Sequence, residues 1–120
     1  MRDHHKLQVF QLADELALEI YQRTKSFPPE EKFGLSSQLR KSALSVVSNV
    51  VEGCARRSEI EFLRFLDIAL GSARELEYQL SLARRLGFLA DLTSEEKAAI
   101  LGKKLHALSQ SIKPGRPNSD

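Results

Sequence analysis

One rhythm constrains this sequence more than anything else in it. Phe62, Leu66, Ala69, Ala73, Leu76, Leu80 and Ala83 recur at intervals of 4, 3, 4, 3, 4 and 3. That alternation places all of these side chains on one helical stripe, the seam of a helix bundle sustained over three heptads. Ser58-Glu59-Ile60-Glu61 stands just ahead of it and reads as a capping box, with Ser58 as N-cap. Arg84 and Arg85 fall in the last turn, where the helix dipole favours cations. Gly87 then suits a left-handed C′ position, after which Phe88 folds back. A helix over 59–86 follows, and it needs partners to cover its stripe.

Three further stretches supply them. Val9, Ala13, Leu16 and Ile20 recur at 4, 3 and 4 within residues 7–25, widened by Phe10, Ala17 and Tyr21, and Phe27-Pro28-Pro29 stops the helix. Residues 35–56 carry Leu39, Ala43, Val46 and Val50 at the same spacing, without a proline. This helix has many small residues, and one polar line crosses it: Lys41, Ser45, Ser48, Glu52 and Arg56. Its VVSNVV segment favours a strand by propensity, but unbroken length and period decide for helix. Gly53 either ends this helix or weakens it. The fourth stretch, 94–112, opens on Thr93-Ser94-Glu95-Glu96, another capping box, and repeats Ala98, Leu101, Leu105, Leu108 and Ile112. Lys113-Pro114-Gly115 closes it, and a disordered tail over 113–120 is expected.

Four amphipathic helices joined by short connections pack most simply as an antiparallel up-down-up-down four-helix bundle, an all-α fold in one domain over residues 1–120. Gly71, with Ser72 and Ala73 beside it, is expected where another backbone comes close. Leu63, Phe65, Ile68, Leu70 and Leu82 exceed what one seam needs; some can flank the core, and such an excess also points to a subunit interface.

Chemistry is scarce. Cys54 is the single cysteine and falls on the apolar side of its helix, so it reads as a buried, inert thiol. The three histidines are scattered, and no Glu-x-x-His pair, zinc cluster or phosphate-binding glycine loop occurs. A catalytic site, a cofactor and a metal are therefore not expected. The Glu52 carboxylate is read as the partner of Arg56 one turn on, and Asn49 as bonded to a neighbouring helix end or a loop. No segment is long and apolar enough for a signal peptide or a membrane span, and the expected location is the cytoplasm.

Charge is the remaining lead. The net formal charge is only +2. Residues 35–57, however, hold Arg40, Lys41, Arg56 and Arg57 against Glu52 alone. A locally basic element in a near-neutral chain points to an anionic partner. Arg40-Lys41 and Arg56-Arg57 are the leading candidates, followed by Arg84-Arg85 and Lys103-Lys104. Each pair can equally be a solvated helix end. Arg56-Arg57 precedes Ser58 at a helix junction, where an anion would meet both guanidinium groups and free N–H groups. No aromatic residue interleaves with these pairs along the chain, so the stacking of bases is not indicated.

The stretch GLSSQLRKSALSVVSNVVEGCARRS followed by EFLRFLDIALGSARELEYQL resembles the four-helix bundle proteins encoded in intervening sequences of bacterial 23S rRNA genes. The resemblance spans about residues 7–89 and is firmest at Gly34-Leu35, Gln38-Leu39-Arg40, Ser45, Ser48-Asn49, Glu52-Gly53, Arg57-Ser58, Phe65-Leu66, Gly71-Ser72 and Glu75-Leu76. Val47 stands where the family often has proline. The resemblance implies a left-handed bundle that assembles into a ring, commonly a homopentamer. It implies nucleic acid as partner, RNA more than DNA, and brings no catalytic residues. It also extends to accessory proteins of diversity-generating retroelements, which implies a reverse transcriptase as the alternative partner of a scaffold or adaptor.

Overall fold

In the computed structural model, which describes residues 1–112, four helices run alternately up and down: α1 (Gln8–Arg23), α2 (Leu35–Cys54), α3 (Glu59–Arg85) and α4 (Thr93–Ile112). Each packs on its neighbours in sequence, and α1 closes the bundle against α4. The expected tail and the expected stop at Lys113-Pro114-Gly115 lie outside the described residues.

The α3 stripe forms the centre of the core. Phe62, Leu66, Ala69, Ala73, Leu76, Leu80 and Ala83 are all buried, facing Val9, Leu16 and Ile20 of α1, Leu39, Val46 and Val50 of α2, and Leu101 and Leu105 of α4. Full burial of each leucine or phenylalanine is worth about 1.5–3 kcal/mol. Cys54 is buried among them, and burial pushes its thiol pKa up, as an inert thiol requires.

The helix ends follow local chemistry. Ser58 Oγ accepts from Glu61 N at 3.1 Å and starts α3. Gly87 ends it at φ 84°, with Phe88 N donating to Ala83 O at 2.9 Å. The capping box expected at 93–96 does not form. Asp91 Oδ1 takes the Thr93 N–H at 3.1 Å instead, which holds the Asp91 carboxyl below the usual range and leaves Ser94 inside the helix. Helix α1 stops at Arg23, two residues before the expected position, because the chain tightens into a 3-10 turn over Thr24–Ser26 ahead of Phe27-Pro28. Helix α2 stops at Cys54, with Ala55 as its C-cap.

The close approach expected at Gly71 is not made within the described subunit: Gly71 is exposed, and a Cβ there would meet nothing within 4 Å among the described residues. The close approach is made by Gly53. A Cβ there would lie 2.9 Å from Phe65 Cβ and 3.3 Å from Phe62 Cδ1, so α2 and α3 can touch only over a glycine. Farther along the same contact Ser45 and Ser72 bond at 2.7 Å. The polar line of α2 thus runs into the α3 interface at its middle.

Candidate functional site

The connections 24–34 and 86–92 share one end of the bundle, here the loop end; the chain's first residues and the 55–58 turn share the other. Arg40 lies within α2 and Arg56 two residues past its end, and the fourteen positions from Arg40 to Cys54 alone are about 21 Å of axial rise. The candidate cations therefore do not converge on one place within a subunit.

Nor do the members of a pair act together. Consecutive helical residues point about 100° apart. Arg40 turns toward α1: its Nε donates to Thr24 Oγ1 at 2.8 Å and its Nη2 to Tyr21 O at 3.3 Å. Lys41 turns toward α3, into a groove lined by Gln38, Ser42, Ser45, Ser72 and Glu75. Arg84 donates to Glu95 of α4 at 2.9 Å, which raises its pKa. Arg85 instead bonds Ser81 on its own helix at 3.2 Å. Lys104 reaches Gln8 of α1 at 3.4 Å, and Lys103 is exposed on the outside of α4.

At the 55–58 junction the expected anion seat is occupied from within. Arg56 is ion-paired to Glu52 one turn back, as its spacing indicates. Glu59 and Glu61 stand in the first turn of α3, and Glu59 pairs with Arg2 at 3.3 Å. Arg57 alone is exposed there without a partner among the described residues. Asn49 does not reach a neighbouring element either; its Nδ2 donates to Ser45 O at 2.8 Å, on its own helix.

Reading along the chain also missed the aromatic rings beside these cations. Arg40 lies 5.0 Å from the Tyr21 ring, Arg56 and Arg64 lie 5.5 and 5.3 Å from Phe65, and Arg85 lies 5.9 Å from Tyr78. These are cation–π distances. Three of these four ring pairs are made across helices or between turns, which a linear search for interleaved aromatics cannot detect.

At the loop end, cations meet in a groove whose lining holds no carboxylate. Thr24, Lys25, Phe27, Pro28, Pro29, Lys32, Ser36 and Arg40 line a groove of about 230 Å³. Among the described residues, none of Lys25, Lys32 and Arg40 has an ion-pair partner. Glu31, on the same connection, turns its carboxylate onto the first turn of α2, where Oε1 accepts from Leu35 N at 2.9 Å. Lys25 and Lys32 were not candidates from sequence, because nothing in residues 24–34 announces that this connection folds back over α2. Among the described residues no group of histidine, cysteine and carboxylate side chains could hold a metal, and no helix is long and apolar enough to cross a membrane.

Comparison with known proteins gives a consistent picture. The family described as 23S rRNA-intervening sequence protein matches residues 5–113. A crystal structure of a protein of unknown function from the S23 ribosomal protein family of Bacteroides thetaiotaomicron VPI-5482 is similar in fold. Its TM-score is 0.77 at 24% identity, over 85% of this chain and 95% of that one. None of the curated proteins compared matches the chain.

Proposed function

Since this chain belongs to the 23S rRNA-intervening sequence protein family, we propose that it is a non-enzymatic, cytoplasmic bundle that binds nucleic acid, RNA in preference to DNA, through surface cations. The observation that carries this reading is the groove of Lys25, Lys32 and Arg40, whose lining holds no carboxylate. Of the cations named from sequence, Arg40, Lys41, Arg57 and Lys103 remain without carboxylate partners among the described residues and serve as phosphate contacts. Lys104 and Arg85 hold only neutral partners and contribute less. Arg56 and Arg84 spend their charge within the subunit.

Modest patches act together if copies assemble around an axis. Leu18, Leu44, Ile60 and Ile68 are exposed and give such assembly an apolar basis. A homo-oligomer is thus part of the proposal, with five copies favoured by the family resemblance. Phosphate contacts carry little sequence information and release counterions. Anisotropy titrations of a labelled RNA should therefore give an affinity that falls steeply with salt and varies little between sequences. Absence of binding at low salt, or binding insensitive to salt, overturns the reading. The alternative is an adaptor for a protein partner such as a reverse transcriptase, which would cover the exposed Leu18, Tyr21 and Leu44 in place of a second copy, with the cations only solubilising.

A further inference from the structure

We propose that the groove between α1 and α2 at the loop end seats a phosphodiester of single-stranded RNA, with Phe33 stacking on the adjacent base. The inference rests on the nucleic-acid reading above and narrows it to one strand form and one site.

The cations come first. Lys25 and Lys32 leave the connection on either side of Phe27-Pro28-Pro29, and Arg40 closes the groove from α2. Arg40 is fixed before any ligand arrives. Its Nε and Nη2 are held by Thr24 Oγ1 and Tyr21 O, its guanidinium lies against the Tyr21 ring, and Nη1 is left uncommitted. A guanidinium held this way loses little freedom on meeting a phosphate. Thr24 Oγ1 is in turn anchored, donating to Ile20 O at 2.7 Å.

Next comes an unused hydroxyl. Ser36 is buried at 7% exposure, lines the groove, and makes no hydrogen bond to any described residue. Its Oγ opens onto the groove rather than into the core, and a phosphate oxygen beside three cations takes the place of water on it.

The third observation is Phe33. It is 88% exposed at the tip of the connection, with Lys32 Nζ 5.5 Å from its ring. A phenylalanine is rarely left this open, and the same chain buries Phe27 and Phe62. An exposed ring next to a cationic groove is the pairing that single-strand binders use, one element for the backbone and one for a base. A duplex keeps its bases stacked on one another and cannot use the ring.

The test is an anisotropy titration of a labelled ten-nucleotide oligoadenylate, alone and annealed to its complement, at several salt concentrations. Lys25→Gln with Lys32→Gln should lower affinity for the single strand about tenfold or more and flatten its salt slope by about 0.7 for each phosphate no longer neutralised. Phe33→Ala should lower single-strand affinity about fivefold or more and leave the duplex unchanged. Arg57→Gln, at the opposite end, serves as the charge control and should have a smaller effect than the lysine pair. Circular dichroism checks that these exposed substitutions leave the helices intact. If the parent binds RNA but the lysine variant binds as well as the parent, the groove is not the seat, while the broader nucleic-acid reading stands. If Phe33→Ala changes neither form, or both equally, the stacking role is wrong. If the parent binds no RNA at low salt, both proposals fall together.

Discussion

Two corners of the loop end are built from the same residue types and are electrostatic opposites. Where α1 and α3 meet α4, Arg23, Lys97 and Arg84 are each answered by a carboxylate. Arg23 pairs with Asp91 at 3.2 Å and donates to Ser94 Oγ at 2.8 Å, Lys97 meets Glu19 at 2.6 Å, and Arg84 meets Glu95 at 2.9 Å. Where α1 meets α2, Lys25, Lys32 and Arg40 face a groove with no carboxylate in its wall. The first corner fastens α4 onto α1, and the second is left with unsatisfied potential. Counting charges in sequence cannot separate them. What separates them is which helix each side chain faces.

The largest effect is expected from opening the closed corner. Ser94 is buried, and its Oγ donates to Glu19 while accepting from Arg23. Glu19→Ala leaves that hydroxyl without its acceptor and Lys97 without its partner. A loss of about 1–3 kcal/mol in chemical denaturation is expected, with RNA affinity at moderate salt unchanged. If the variant instead alters RNA binding and spares stability, the division between a fastening corner and a binding corner is wrong.

Acid should act on the same corner with a defined sign. Burial pushes the Glu19 carboxyl up, but hydrogen bonds from Lys97 and Ser94 outweigh it and hold the pKa below the usual range. A carboxyl with a depressed pKa in the folded state contributes stability above its unfolded pKa of about 4.3 and loses it as pH falls through the folded value. Stability measured between pH 7 and 3 should therefore fall more for the parent than for Glu19→Gln. Equal falls would mean that other carboxylates dominate.

Arg40 tests the open corner at finer scale. Arg40→Lys keeps the charge but cannot hold Thr24 Oγ1 and Tyr21 O at once. RNA affinity should fall a few-fold with the salt slope unchanged, whereas Arg40→Gln should lower both. Equal behaviour of the two variants would make the arginine fork irrelevant.

How much of this the sequence discloses depends on range. The α3 stripe was legible because a 4-3 rhythm is a property of one helix, and the buried Phe62-to-Ala83 seam is its direct consequence. The Ser58 cap and the Gly87 turn are equally local. The groove was not legible, since Lys25, Lys32 and Arg40 come together only through the fold of residues 24–34. The aromatic partners of the cations escaped for the same reason: Tyr21 meets Arg40 across nineteen positions of sequence. The surroundings of Gly71, by contrast, are a local matter. Its small neighbours Ser72 and Ala73 stand at i+1 and i+2, and such positions do not share its face.

The smallest expected effect follows from the two glycines, which repeat the contrast of occupied and open surface in the backbone. Gly53→Ala forces a Cβ to within 2.9 Å of Phe65 Cβ, so α2 and α3 must part and stability must fall. Gly71 has no such neighbour among the described residues and weakens α3 only through its conformational freedom. Gly71→Ala should accordingly raise stability by up to about 1 kcal/mol, the usual difference between these residues in a helix interior. Denaturation of both variants at several protein concentrations, with light scattering alongside, decides the matter. A gain independent of concentration leaves Gly71 on an open face. A loss accompanied by a fall in assembled mass would instead put the backbone of a second copy over this glycine, and the close approach expected there would then lie between subunits.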